Sequence, residues 1–111
     1  MLALLLTLSL TLIQWKLLMQ PILAKFLPGK LVATPAAMRK VDPDYAFGAL
    51  AQHLQGKWGT LSKEDWNANN QALRDGSRLF SVYPLPNEAG NFWIITEADR
   101  SVTTILLPED Y

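Results

Sequence analysis

The hydrophobic pattern changes period several times along this chain, and each change marks an element. Residues 1–13, MLALLLTLSLTLI, are apolar and uncharged. Thr7, Ser9 and Thr11 alternate with leucine there, as compatible with a strand as with a helix. Pro28-Gly29 is a turn signal, and KLVA (30–33) is a short strand. Thr34-Pro35 and Asp42-Pro43 each put an N-capping side chain before a proline at the first helical position, where its missing N–H costs nothing. They predict helices from Pro35 to about Lys40 and from Pro43 to about Gln55. In the second helix Phe47, Leu50, Ala51 and Leu54 recur at the spacing of a buried stripe, and Gly56 is a natural terminator. Ser62 and Asp65 form a capping-box-like start for a helix that Gly76 stops. Its stripe is thin: Trp66, then Asn69 or Asn70, then Leu73, with Ala72 beside it. An asparagine at that place predicts either a buried hydrogen-bonding residue or one exposed at a site.

Beyond Gly76 the period falls to two. RLFSVY (78–83), Asn91 to Glu97 and Val102 to Leu107 read as three strands, with loops over 84–90 and 98–101. In the middle strand Phe92, Ile94 and Thr96 fall on one face, and Trp93, Ile95 and Glu97 on the other. Short connections predict an antiparallel meander. The expected fold is α+β: two or three helices packed on a three- to four-stranded, mainly antiparallel sheet, in the order β-α-α-α-β-β-β. Residues 28–111 form its single domain, and residues 1–27 a leucine-rich N-terminal segment.

That segment has three readings. A secretory signal wants a basic start and a small-residue cleavage site, and neither is present. A membrane helix needs about 20 apolar residues, yet Gln14 and Lys16 end this run early and Gln20-Pro21 spoil its continuation. MQPILAKFLPGKLVATP, from Met19, resembles an ordinary soluble N-terminus, so translation from Met19 is the favoured expectation. A weak membrane or interfacial segment and a packed helix are the alternatives.

Charge changes this picture more than length does. Formal net charge is zero, but residues 1–41 hold Lys16, Lys25, Lys30, Arg39 and Lys40 and no acid. Residues 42–111 hold five basic residues against ten acidic ones, a net of −5. An acidic body argues against broad binding to nucleic acid, which depends on neutralising phosphates. There is no cysteine and one histidine, which excludes disulfides, thiolate catalysis and a multi-histidine metal site within one chain. No metal or cofactor is expected. Absence of cysteine fits a cytoplasmic location; inner-membrane association through residues 1–18 is the alternative.

The blocks HLQGKWGTL (53–61), NxxALRDGSRLFSVY (69–83) and FWIITEADRSVTTILLPEDY (92–111), with LVATPAAM (31–38) as an opening, resemble a family of short bacterial proteins described as plasmid-related. The resemblance covers roughly residues 28–111. One departure is Lys57, where that family more often has aspartate. The resemblance implies a home on bacterial mobile elements and supplies no activity. A restriction-modification label sometimes attached to the family does not carry over: 111 residues cannot hold a methyltransferase domain, and no glycine-rich cofactor loop is present.

Several polar residues are candidates for chemistry. His53, in the last turn of its helix, is a possible general acid/base, since its reference pKa lies near 6.5 and a helix C-terminus favours the charged form. Its structural alternative is a boundary histidine capping carbonyls. Arg78 and Arg100, with Thr96, Ser101, Thr103 and Thr104, could hold a phosphate or carboxylate at one end of the sheet. Alternatively Arg100 pairs with Asp99 or Glu97, and the threonines serve β-propensity. Glu97 and Asp99 could share a face as a carboxylate pair. Trp58, Trp66 and Trp93 read as core, with Asn69 or Asn70 as an indole partner; a tryptophan left on an exposed sheet face would mark a protein contact. The binding candidates are therefore Trp58, Asn69, Asn70, Asp99, Arg100 and Ser101.

Three functions compete. The first is a non-enzymatic protein-binding or regulatory module with an unidentified protein partner, offering a sheet edge for strand addition; a homodimer is compatible with it. The second is a small metal-independent ribonuclease of barnase- or RelE-like type, with His53 or Glu97 as base and Arg78 or Arg100 stabilising charge. The third is a membrane-associated accessory protein held by residues 1–18.

Overall fold

A computed structural model describes residues 5–18 and 24–111. Met19 and Gln20-Pro21 lie outside the described residues. The elements, in order, are β1 (Leu6–Thr7), α1 (Leu12–Leu18), β2 (Lys30–Ala33), α2 (Pro35–Lys40), α3 (Pro43–Leu54), α4 (Lys63–Asp75), β3 (Leu79–Pro84), β4 (Asn91–Thr96) and β5 (Val102–Leu106), with single 3-10 turns at Pro86–Glu88 and Pro108–Asp110.

The helix starts form as their caps dictate. Thr34 Oγ1 accepts the Ala37 N–H, Asp42 accepts from Asp44 and Tyr45, and Ser62 Oγ accepts from Asp65. Gly76 closes α4 in the left-handed conformation. The fold is α+β with helices on a sheet, but the sheet has five strands and is mixed, in the order β1-β2-β5-β4-β3. The β3-β4-β5 meander is antiparallel. The strand over 30–33 lies parallel to β5, Leu31 opposite Thr103 and Ala33 opposite Ile105. Parallel neighbours need a long crossover connection, which the three helices and the β3-β4 hairpin supply. The fifth strand comes from the leucine-rich segment: Leu6 pairs with Ala33 and Thr7 with Val32. Behind it Leu8, Leu10 and Trp15 pack on the core, and Leu18 is buried.

Period-two alternation assigns the two sheet faces. Leu31, Ala33, Tyr83, Phe92, Ile94 and Ile105 meet Leu50 and Leu54 of α3 in the main core. A smaller cluster of Trp58, Ala72 and Leu79 joins α4 to β3. The turn at Gly59 has φ 82°, and a Cβ there would collide with the Val82 carbonyl oxygen. Only glycine lets the chain lie this close against β3.

Candidate functional site

His53 is wholly buried, not at a solvent boundary. Its imidazole sits edge-on to Phe26 and Trp58, with ring centroids 5.4 and 5.5 Å away. Both ring nitrogens are engaged: Nδ1 lies 2.5 Å from Ser81 Oγ and Nε2 lies 2.9 Å from Thr96 Oγ1. Thr96 Oγ1 is 2.7 Å from Thr103 Oγ1, which donates to the Pro28 carbonyl at 2.7 Å. That last bond fixes the direction of the chain. Thr103 spends its proton on the carbonyl, so it accepts from Thr96. Thr96 then accepts from His53 Nε2–H, and Nδ1 accepts from the Ser81 hydroxyl. The imidazole is neutral, with every polar atom satisfied. Burial, and then the nearby Arg100 guanidinium, lower its pKa to about 3. The expected boundary position is corrected: α3 turns its last-turn histidine inward, toward the sheet.

Arg100 holds the β4-β5 turn with φ 60°, a left-handed conformation that is uncommon for a side-chain-bearing residue. Its guanidinium donates to the carbonyls of Ser77, Glu97, Ala98 and Ala72 and lies over the Phe26 ring. The expected pairing of Arg100 with the Asp99 or Glu97 carboxylate is not what forms: Arg100 takes main-chain oxygens, including one in the last turn of α4. Arg78 takes the carboxylate instead, at 3.3 Å from Glu97, and also donates to the Tyr111 hydroxyl at 2.6 Å. Asp99 accepts the Ser101 N–H at 2.9 Å; hydrogen bonding to the Ser101 side chain and main chain keeps its carboxyl below the usual range. Glu97 and Asp99 therefore serve different partners. Among the described residues no group of three or more His, Asp or Glu side chains could hold a metal.

The two asparagines divide the work expected of one. Asn70 accepts the Trp58 indole N–H at 2.9 Å. Asn69, buried, accepts the Phe80 N–H at 3.1 Å and donates its amide to the Phe80 carbonyl. It acts as a one-residue strand on the outer edge of β3. One pleat along, Val82 N–H bonds the Trp58 carbonyl and the Val82 carbonyl accepts from Thr60. This edge of the sheet is thus closed to strand addition. At the other edge β1 is only two residues long.

The face of the sheet opposite the helices carries Phe80, Trp93, Ile95 and Glu97, flanked by Arg78. Trp93 meets Phe80 edge-to-face at 5.0 Å, and Tyr111 folds back to 5.8 Å from Trp93. Together Arg78, Phe80, Trp93, Ile95 and Tyr111 line an open concavity of about 270 Å³. Tyr111 is not among the candidates that the sequence suggests. The only signal for it is an aromatic residue placed after a proline that ends a strand.

The candidates fall into two groups separated by the sheet. His53, Trp58, Thr96, Thr103 and Asn69 lie on or against the helix-covered side, with Arg100 at the rim. Arg78, Glu97 and Trp93 lie on the other side. The buried His53 shares no accessible point with an arginine; Glu97 and Arg78 do meet on the other face, where they are spent on an ion pair with each other. Among the described residues no helix is long and apolar enough to cross a membrane. No protein-family model matches the chain, and neither a curated protein nor a solved structure matches it significantly.

Proposed function

We propose that this chain is a non-enzymatic protein-binding module, carried on a bacterial mobile element and acting in the cytoplasm, with its contact surface on the helix-free face of the sheet. One observation carries the reading: an arginine, a tryptophan and a tyrosine (Arg78, Trp93 and Tyr111) cluster around a concavity on that face. These residue types dominate the energetics of protein interfaces, because each presents large area or planar hydrogen bonding at low entropic cost. The partner seats an apolar side chain in the concavity against Trp93 and Tyr111, and a carboxylate beside it reaches Arg78. The ribonuclease reading loses His53 as its base, since that imidazole is buried and saturated with hydrogen bonds, and its other base, Glu97, is held in an ion pair with Arg78.

The test is a pull-down with the tagged chain from nuclease-treated bacterial lysate, run in parallel with Trp93→Ala and His53→Gln. A single stoichiometric protein retained by the parent and by a folded His53→Gln, and lost with Trp93→Ala, is the expected result. Recovery of RNA or of nothing, or retention by Trp93→Ala, overturns it.

A further inference from the structure

On the helix-covered side, remote from the aromatic face, a second cavity of about 350 Å³ lies between residues 7–14 and helices α2 and α3. Its volume falls within the range of small-molecule sites, about 300–1,000 Å³. The walls come from Leu8, Leu10, Val41, Phe47, Leu50 and Ile105. Ala37 and Ala46, one from each helix, line the same space with side chains too short to fill it. Among the described residues no charged side chain lines it. Its polar groups are gathered on the N-terminal segment: Thr7, Ser9 and Gln14. Gln14 Oε1 accepts the Thr11 N–H. Its amide N–H groups, and the hydroxyls of Thr7 and Ser9, bond to nothing among the described residues.

We propose that this cavity is a binding site for an uncharged small amphiphile, a medium-length alkyl chain bearing one hydroxyl-type head group. The chain fills the space left by Ala37 and Ala46, and the head exchanges hydrogen bonds with Ser9, Thr7 and the free Gln14 amide. Among the described residues no lining charge offers the head an ion pair. Thr7 and Ser9 lie exposed at the rim, where a hydroxyl exchanges hydrogen bonds while the alkyl chain takes the apolar interior. The segment that supplies these polar groups is also the lid: it is held to the sheet by the two-residue pairing of β1 and by the Leu8 N–H bond to the Leu31 carbonyl.

The experiment titrates the full chain with decanol below its solubility limit, and with decanoate and decyltrimethylammonium below their micellar concentrations, by calorimetry and by amide chemical-shift mapping. The expected result is one saturable site for decanol, shifts concentrated at Leu8, Ser9, Ala37 and Ala46, and binding about tenfold or more weaker for both charged probes. Ala46→Phe and Ala37→Leu fill the space and abolish the decanol site, with melting temperatures at or above the parent's. Absence of a saturable site in the parent, shifts spread over other surfaces, or undiminished binding by a folded filled variant overturns the proposal. Equal affinity for all three probes overturns the head-group assignment. The shift map is read on the parent protein, so it decides the location even where a variant does not fold.

Discussion

On the side of the sheet facing the helices, polar side chains that reach inward are tied together: Ser81 to His53 to Thr96 to Thr103 to the Pro28 carbonyl. On the opposite side the aromatic residues meet one another and leave a concavity, and the Arg78–Glu97 ion pair is exposed, at 42% and 39% for its two side chains. The first face spends its polar groups on specifying the fold. The second buries Val32, Ile95, Thr104 and Leu106 too, and keeps its accessible groups around Arg78, Glu97, Trp93 and Tyr111. Residue type alone does not separate the two, because each holds a tryptophan and hydrogen-bonded polar groups. What differs is that helices cover the first face, while on the second the accessible groups gather around one concavity.

Paired tryptophan truncations give the largest expected contrast. Trp58 is fully buried and its indole N–H satisfies Asn70. Trp58→Ala removes that packing and strands an amide, and is expected to cost about 3–5 kcal/mol. Trp93→Ala, on the open face, is expected to cost about 1 kcal/mol while eliminating partner capture. Urea unfolding of both variants checks the pair. Equal losses would mean that the open face is as structural as the covered one.

Asn69→Ala sharpens the contrast at the border between the faces. It unpairs the Phe80 N–H and carbonyl on the edge of β3. Burying such groups without partners costs about 1–3 kcal/mol, and a freed edge invites strand pairing between molecules. A lowered urea midpoint with concentration-dependent association in sedimentation is expected. A variant that stays monomeric would show that the Trp58–Thr60 contact to Val82 guards the edge by itself.

The covered face also carries a pH signature, through His53. His53 has a folded pKa lowered to about 3 from 6.5, so the unfolded chain takes up one proton more than the folded chain between those values. Stability is complete above about pH 6.5 and falls as the pH drops below it, by roughly 1.4 kcal/mol per unit. Between about pH 6.5 and 5, ahead of most carboxylates, the parent's melting temperature is expected to decline more steeply than that of His53→Leu. Parallel slopes would show that the histidine does not carry the acid sensitivity.

Much of this architecture is legible locally. The caps at Thr34, Asp42 and Ser62 set three helix starts, and the alternation in 91–97 by itself separates Phe92 and Ile94 from Trp93 and Ile95. What sequence conceals is long-range. Nothing in KLVA says that it pairs with residues 102–105, seventy positions on, because parallel register is decided by what the intervening helices can span. Nothing in EADRS says that its arginine takes a carbonyl from α4 while Arg78 takes Glu97. His53 illustrates the same limit: its helical position is legible, and its enclosure by Phe26, Trp58 and two strands is not. Thr96 and Thr103 look like ordinary β-formers, yet they complete its hydrogen bonding.

The smallest effect belongs to the ion pair on the open face, and its size is informative. Arg78 and Glu97 meet at 3.3 Å, and the Tyr111 hydroxyl accepts from the same guanidinium at 2.6 Å. The Tyr111 bond, ahead of the carboxylate, raises the Arg78 pKa, so the cation persists throughout the range in which the protein is folded. Exposed pairs of this kind contribute about 0–1 kcal/mol and are screened by salt. Arg78→Ala is therefore expected to leave the urea midpoint nearly unchanged, and to remove what little salt dependence the parent shows. Its effect on partner capture should be far larger than its effect on stability, because a carboxylate arriving from a partner would displace Glu97 in a site then shielded from water, where the same charge counts for more. Binding lost with stability kept would mark Arg78 as a contact residue. Stability lost by several kcal/mol would mean instead that Tyr111 and Arg78 clamp the C-terminal turn onto the sheet, and that the open face is a second core left partly uncovered.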